Sequence, residues 1–98
     1  MYLCNYKTMT TYWNDFSSVI SKGEKAIREV YNNIFNNAKE DYKLLTELVM
    51  VTNHLGWDLR ETKNPMSDYF FELYCETDAY AKMNLKDEEL EYFYKIID

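Results

Sequence analysis

Apolar residues recur at three- and four-residue spacing along most of the chain, the period of a helix buried along one side. Ile27, Val30, Tyr31, Ile34, Phe35 and Ala38 form the cleanest stripe, and Asn32, Asn33, Asn36 and Asn37 lie largely off it. Asparagine is a mediocre helix former, so packing rather than propensity must hold this segment. The next stretch is "DYKLLTELVMVTNHLGWDLRETK" (41–63). Leu45, Leu48, Thr52, Leu55 and Leu59 make one stripe, and Leu44 and Val51 widen it. A helix apolar over so much of its circumference is predicted to be central and packed on more than one side. Asp41 suits its N-cap or first turn. Gly56, inside it, costs roughly 1 kcal/mol against Ala, which a close helix crossing would explain.

Punctuation residues set the remaining elements. Asn14 or Asp15 is placed to cap a short first helix that Gly23 would end. In "KNPMSD" (63–68), Asn64 before Pro65 suits a cap followed by proline at the first helical position. A fourth helix then runs to about Asn84, with Met66, Tyr69, Phe70, Leu73, Tyr74, Thr77 and Ala81 as its apolar set. A fifth starts near Asp87 and carries Leu90, Phe93, Tyr94 and Ile97 on one side. Asp87, Glu88 and Glu89 occupy its first turn, where carboxylates suit the helix dipole. Residues 1–9 read as an N-terminal extension, poorly ordered or loosely packed, ahead of a single helical domain over 10–98. Two glycines and one proline are few for the turns of an all-β domain. The expected fold is all-α, a compact bundle of four to five helices with short loops.

Charge narrows the choice of partner. The 98-residue chain has a formal net charge of −6. Residues 1–57 hold six acids and six bases, and residues 58–98 hold eleven acids against five bases. The C-terminal two-fifths therefore carries the whole imbalance. Such a chain is a poor ligand for nucleic-acid phosphates, which need Lys and Arg, and for anionic membranes. The natural partner is the basic surface of a protein. No run approaches the ~18 apolar residues of a membrane span, and no basic region followed by an apolar core marks a signal peptide. The expected location is the cytoplasm. Cys4 and Cys75, with no Cys-x-x-Cys spacing, fit free thiols in a reducing compartment, with a single disulfide as the alternative.

Candidate chemistry is sparse. His54, the lone histidine, shares a helix face with Asp58 at i+4, an arrangement that can orient a general base. Neither a nucleophile nor further metal ligands are spaced to join it, and the Glu-x-x-His pairs of di-metal bundles are absent. Cys75 stands among Glu76 and Asp78, and neighbouring acids raise a thiol pKa, the opposite of what a nucleophile needs. No phosphate-binding glycine loop, zinc spacing or Ser/His/Asp set occurs. A protein that is not an enzyme and takes no cofactor is the expectation.

One segment stands out. "DYFFELYCETDAY" (68–80) holds five aromatic and four acidic residues. On a helix, Asp68, Glu72 and Glu76 share one face, about 6 Å apart, close to the spacing of phosphates along a nucleic-acid strand. Like charges at i,i+4 cost a few tenths of a kcal/mol per pair, and no Lys or Arg lies between residues 64 and 81. Tyr69 and Tyr80 border the row, Asp78 adds to it, and Asp87, Glu88 and Glu91 form a second acidic cluster. The row reads either as a solvated face that aids solubility or as a mimic offered to a basic groove. Tyr69, Phe71 and Tyr92 cannot all be buried in so small a chain, so some are expected at an interface, with a homodimer or a foreign partner.

The words "YWNDFS" (12–17), "YKLLTELVMVTNH" (42–54) and "LKDEELEYFY" (85–94) resemble a family of small uncharacterised acidic proteins. They are carried by phages, plasmids and integrative elements of gut-type Gram-positive bacteria. The resemblance covers most of residues 10–98, and the segments around Gly56 and over 60–68 depart from it. Family members start near Met9, which agrees with an extension. No catalytic residue comes with the resemblance. It implies a setting in a bacterial host cell, where such proteins are often counter-defence factors of anti-CRISPR or anti-restriction type that block DNA-binding grooves. The expectation is a helical inhibitor of a host nucleic-acid-binding defence enzyme. Asp68, Tyr69, Glu72, Glu76, Asp78, Tyr80, Asp87, Glu88 and Glu91 would make the contact. The alternative is a structural or regulatory accessory protein of a mobile element, as a homodimer or not, with no mimicry.

Overall fold

The computed structural model describes residues 6–97. Five α-helices follow one another: α1 (Tyr6–Ser17), α2 (Glu24–Ala38), α3 (Tyr42–Glu61), α4 (Ser67–Asn84) and α5 (Glu88–Ile97). A 3₁₀ turn (Ile20–Lys22) joins α1 to α2. No strand occurs among the described residues, so the expected all-α bundle of four to five helices holds, with five. The expectation for residues 1–9 falls partly on 1–5, which lie outside the described residues. From Tyr6 onward the chain is helical, and α1 runs through Met9, which packs against the core. The first helix therefore does not start at Asn14 or Asp15; both lie near its end, exposed. Gly23 closes the 3₁₀ turn rather than α1. Its φ of +96° is a backbone region that glycine enters without steric cost.

The breadth of the α3 stripe has a direct cause: α3 packs against α1, α2, α4 and α5. One side of it, through Leu48, Val51 and Leu55, meets Phe16, Ile27, Tyr31, Ile34, Phe70 and Leu73. The other side, through Leu45 and Val49, meets Ala81, Leu85 and Phe93. Each fully buried Leu or Phe here contributes roughly 1.5–3 kcal/mol from removal of apolar area from water. Polar residues inside α3 are accommodated locally. Thr46 and Thr52 are buried and donate back to the carbonyls of Tyr42 (2.7 Å) and Leu48 (2.9 Å), as hydroxyls within helices often do. Glu47 is buried too. Burial, with the Glu47 carboxylate adding to it, pushes the Tyr12 phenol up to about 12.

Asp41 caps α3 as expected, accepting from the backbone N–H groups of Lys43 (3.0 Å) and Leu44 (3.2 Å). Asn64 acts one step earlier than expected. Its Oδ1 accepts from the Met66 N–H (2.9 Å) and its carbonyl from the Ser67 N–H (3.1 Å). Asn64 and Pro65 thus shape a turn, and α4 begins at Ser67 rather than at the proline.

Two contacts fix α4. At its start, the Ser67 hydroxyl donates to the Gly56 carbonyl (2.9 Å), and the Phe71 ring occupies the space a side chain on Gly56 would need. A Cβ there would stand 2.7 Å from Phe71 Cε1, so the close crossing expected at Gly56 is real. Further along, the Tyr31 hydroxyl on α2 lies 2.6 Å from the Thr77 hydroxyl, both buried. Thr77 gives its single proton to the Leu73 carbonyl (2.6 Å), so Tyr31 is the donor of the pair.

Candidate functional site

α4 buries Phe70, Leu73, Thr77 and Ala81. That leaves a strip of Asp68, Phe71, Glu72, Cys75 and Glu76 facing outward, where it lines an open groove of about 480 Å³. The three carboxylates expected on one face are all exposed there. They are not equivalent. Glu76 is held by Arg28 of α2, which donates from both terminal nitrogens to the two carboxylate oxygens (3.0 and 2.8 Å) and from Nε to the Tyr69 hydroxyl (2.8 Å). The guanidinium holds the Glu76 carboxyl below its ordinary range. Relief for the row thus comes from a distant segment, which corrects the reading of three uncompensated acids. Among the described residues no ion pair reaches Asp68 or Glu72. Asp68 lies in the first turn of α4, where its charge also suits the helix dipole.

An aromatic pair adjoins the acids. Trp57 on α3 is 52% exposed, and its ring meets that of Phe71 edge to face, 5.3 Å between centroids. The guanidinium of Arg60 lies over both rings, 5.4 Å from Trp57 and 5.8 Å from Phe71. Gly56 makes this possible, because only a residue without a side chain lets the Phe71 ring lean on α3 and meet Trp57. Arg60, Lys63, Asn64, Pro65, Ser67 and Asp68 line a second shallow pocket beside the pair.

The other anticipated contact residues are placed differently. Tyr69 is half-buried and bonded to Arg28. Tyr80 is half-buried, with its ring edge-on to Phe35 at 4.9 Å. Asp78 is half-buried and paired with Lys82 at 2.9 Å, which raises the lysine's pKa. Asp87, Glu88 and Glu91 are exposed around the start of α5. α4 rises ~1.5 Å per residue, so its last residue, Asn84, stands about 24 Å from Asp68 along the helix axis, and the three acids follow that end in the chain. The unpaired acids among the nine therefore fall in two groups, Asp68 with Glu72 early in α4 beside exposed Trp57, and Asp87, Glu88 and Glu91 at α5 near exposed Tyr94.

Of Tyr69, Phe71 and Tyr92, expected not to be all buried, each is half-buried, and Phe71 lies in the groove. Trp57 and Arg60 were not anticipated as part of a binding face. The available signal was a tryptophan lying off the apolar stripe of α3, with an arginine at i+3. His54 is exposed, and no hydrogen bond or ion pair joins it to Asp58. Cys75 is exposed and free, and Cys4 lies outside the described residues. Among the described residues no group of three or more His, Cys, Asp or Glu is arranged to hold a metal ion, and no helix is long and apolar enough to cross a membrane.

Comparison with protein-family models, with curated proteins and with solved structures gives no match for this chain. Among the described residues, the fold defines a small all-α bundle whose α3–α4 crossing sets exposed carboxylates and basic side chains beside an aromatic pair.

Proposed function

We propose that this protein works by binding the basic surface of another protein through the outward face of α4 and the adjoining end of α3. The target is a host nucleic-acid-binding defence enzyme, which the chain would inhibit as an anti-CRISPR or anti-restriction factor by occupying its basic groove. The observation that carries the reading is Asp68 and Glu72, exposed and without ion-pair partners, beside the Trp57–Phe71 pair that the core does not enclose. Aromatic anchors with a charged rim are what a protein interface uses for affinity and for orientation, respectively. The defence setting is drawn from the family resemblance and from the acidic C-terminal region; it is an analogy of context. Glu76 and Asp78, already paired within the chain, contribute less than the sequence alone implied.

The test is capture of host proteins on the immobilised chain at low and high salt, beside the Asp68→Lys/Glu72→Lys variant. A nuclease or other nucleic-acid enzyme held at low salt, released at high salt and lost with the variant supports the reading. The enzyme's activity should then fall on addition of the wild-type chain. Equal retention by wild type and a folded reversed variant refutes the role of these acids.

A second reading, an accessory protein that pairs with itself, has one observation in its favour. Arg60 and Lys63 flank Asp68 in the neighbouring pocket. A two-fold-related copy would set these bases against Asp68 and Glu72 around the two Trp57 rings. A concentration-dependent dimer in sedimentation, dissolved by Trp57→Ala, would favour it over the first reading.

A further inference from the structure

We infer that the groove on α4 is built to take an arginine side chain of the partner, in preference to a lysine. The inference rests on the reading above that this face binds a basic protein, and it specifies the chemistry of the contact. Its ground is how this surface already treats its own cations. Arg28 is bound by the next carboxylate along the strip, Glu76, through both terminal nitrogens, with its guanidinium over the rings of Tyr69 (5.6 Å) and Tyr31 (5.5 Å). Arg60 is bound from the other side, over Trp57 and Phe71. Lys63, beside Asp68 in the neighbouring pocket, makes no ion pair with it. Both arginines near this half of α4 are engaged by rings, and one also by a carboxylate; Lys63 is not, whereas further off Lys82 pairs with Asp78 and Lys43 lies over the Tyr42 ring.

The open position between them repeats the same elements. Phe71 supplies a ring, Asp68 and Glu72 supply carboxylates, and Cys75 completes an apolar floor. Residues 68, 71, 72 and 75 are i,i+3 and i,i+4 neighbours, about 5–6 Å apart at Cβ. A planar guanidinium can lie against the ring while its parallel N–H groups meet a carboxylate. An ammonium offers neither the plane nor the fork, and it is more strongly hydrated. The groove is open and shallow, which suits a side chain from an extended or helical segment better than an enclosed small molecule.

The experiment uses two probes, a nonapeptide rich in arginine and its lysine counterpart of equal length and charge. Binding is followed by amide and tryptophan-indole shifts of the labelled full chain at low salt. The arginine peptide should bind about fivefold tighter or better, the difference expected of a stacked over an unstacked cation. Shifts should centre on residues 68–76 and the Trp57 indole. Asp68→Asn/Glu72→Gln should weaken both peptides, whereas Phe71→Leu should bring their affinities together. Glu40→Gln, an exposed acid at the α2–α3 turn, should leave the ratio unchanged. Equal affinity for the two peptides at this face overturns the arginine preference and leaves the binding reading standing. No binding of either, or shifts confined to α5, overturns both.

Discussion

Exchanging Thr77 for Val and Tyr31 for Phe removes the same buried hydrogen bond from opposite ends, and the costs should differ. Tyr31 donates to Thr77, which itself donates to the Leu73 carbonyl. Tyr31→Phe deletes the donor and leaves Thr77 still bonded within α4. The expected loss is about 1 kcal/mol, the net worth of one ordinary hydrogen bond. Thr77→Val leaves the phenol of Tyr31, only 4% exposed, with no acceptor at that position. An unsatisfied buried group costs about 1–3 kcal/mol, and for a chain of this length each kcal/mol lowers Tm by roughly 4–8 °C. The double variant should be more stable than the sum of the singles, because neither end is then stranded. Urea titrations of the four proteins, followed by helical circular dichroism, measure all three terms. Equal single-variant costs with no coupling would refute the donor assignment, because they would mean that the Tyr31 hydroxyl does not depend on Thr77.

Other consequences can be checked separately. Tyr12 is held at about 12 in the fold against an ordinary 10.0. A raised acid stabilises the fold fully below the lower value and loses that contribution as pH climbs through the higher one. Urea midpoints should therefore fall between pH 10 and 12, and Tyr12→Phe should flatten that fall. Gly56→Ala gains roughly 1 kcal/mol of helix propensity but meets Phe71 at 2.7 Å. Overpacking of about 1–3 kcal/mol should leave it destabilised in urea titration, with the Trp57 indole resonance displaced as the ring swings out. Arg28→Gln breaks an exposed pair, so thermal melts should show a loss of at most about 1 kcal/mol from the ion pair itself. It also frees Glu76, so arginine-peptide affinity should rise; unchanged affinity would mean that Glu76 plays no part in the groove.

Helices α2, α4 and α5 were legible because each carries a one-sided apolar period, and the double-sided stripe of α3 announced its central place. Gly56 was legible as a crossing for the same reason: a glycine inside a strong helix needs a cause. The start of α1 was not, since helical packing carries the segment past the cap signals at Asn14 and Asp15. The state of the acidic row was the larger gap. Periodicity placed Asp68, Glu72 and Glu76 together correctly, but the cation that neutralises Glu76 lies 48 residues away on α2. Pairing across a bundle depends on which helices become neighbours, and no local pattern encodes it. The role of Trp57 is not encoded locally for a related reason. An aromatic residue off the stripe of one helix becomes a surface feature only when the next helix places Phe71 beside it.

The position of α3 also bears on the order in which the chain folds. α1 and α2 each pack more extensively against α3 than against one another, and α5 is joined to the rest mainly through α3 as well. The two N-terminal helices therefore hold an incomplete core until α3 has formed. The α3–α4 hairpin, with its short connection and the most extensive packing of any pair, is the natural nucleus, since its contacts close with the least loss of chain entropy. Substitutions at Leu55 or Phe70 should slow folding, whereas substitution at Phe93 should chiefly speed unfolding. During synthesis, the N-terminal helices would wait for their scaffold, and α5 would clip on last.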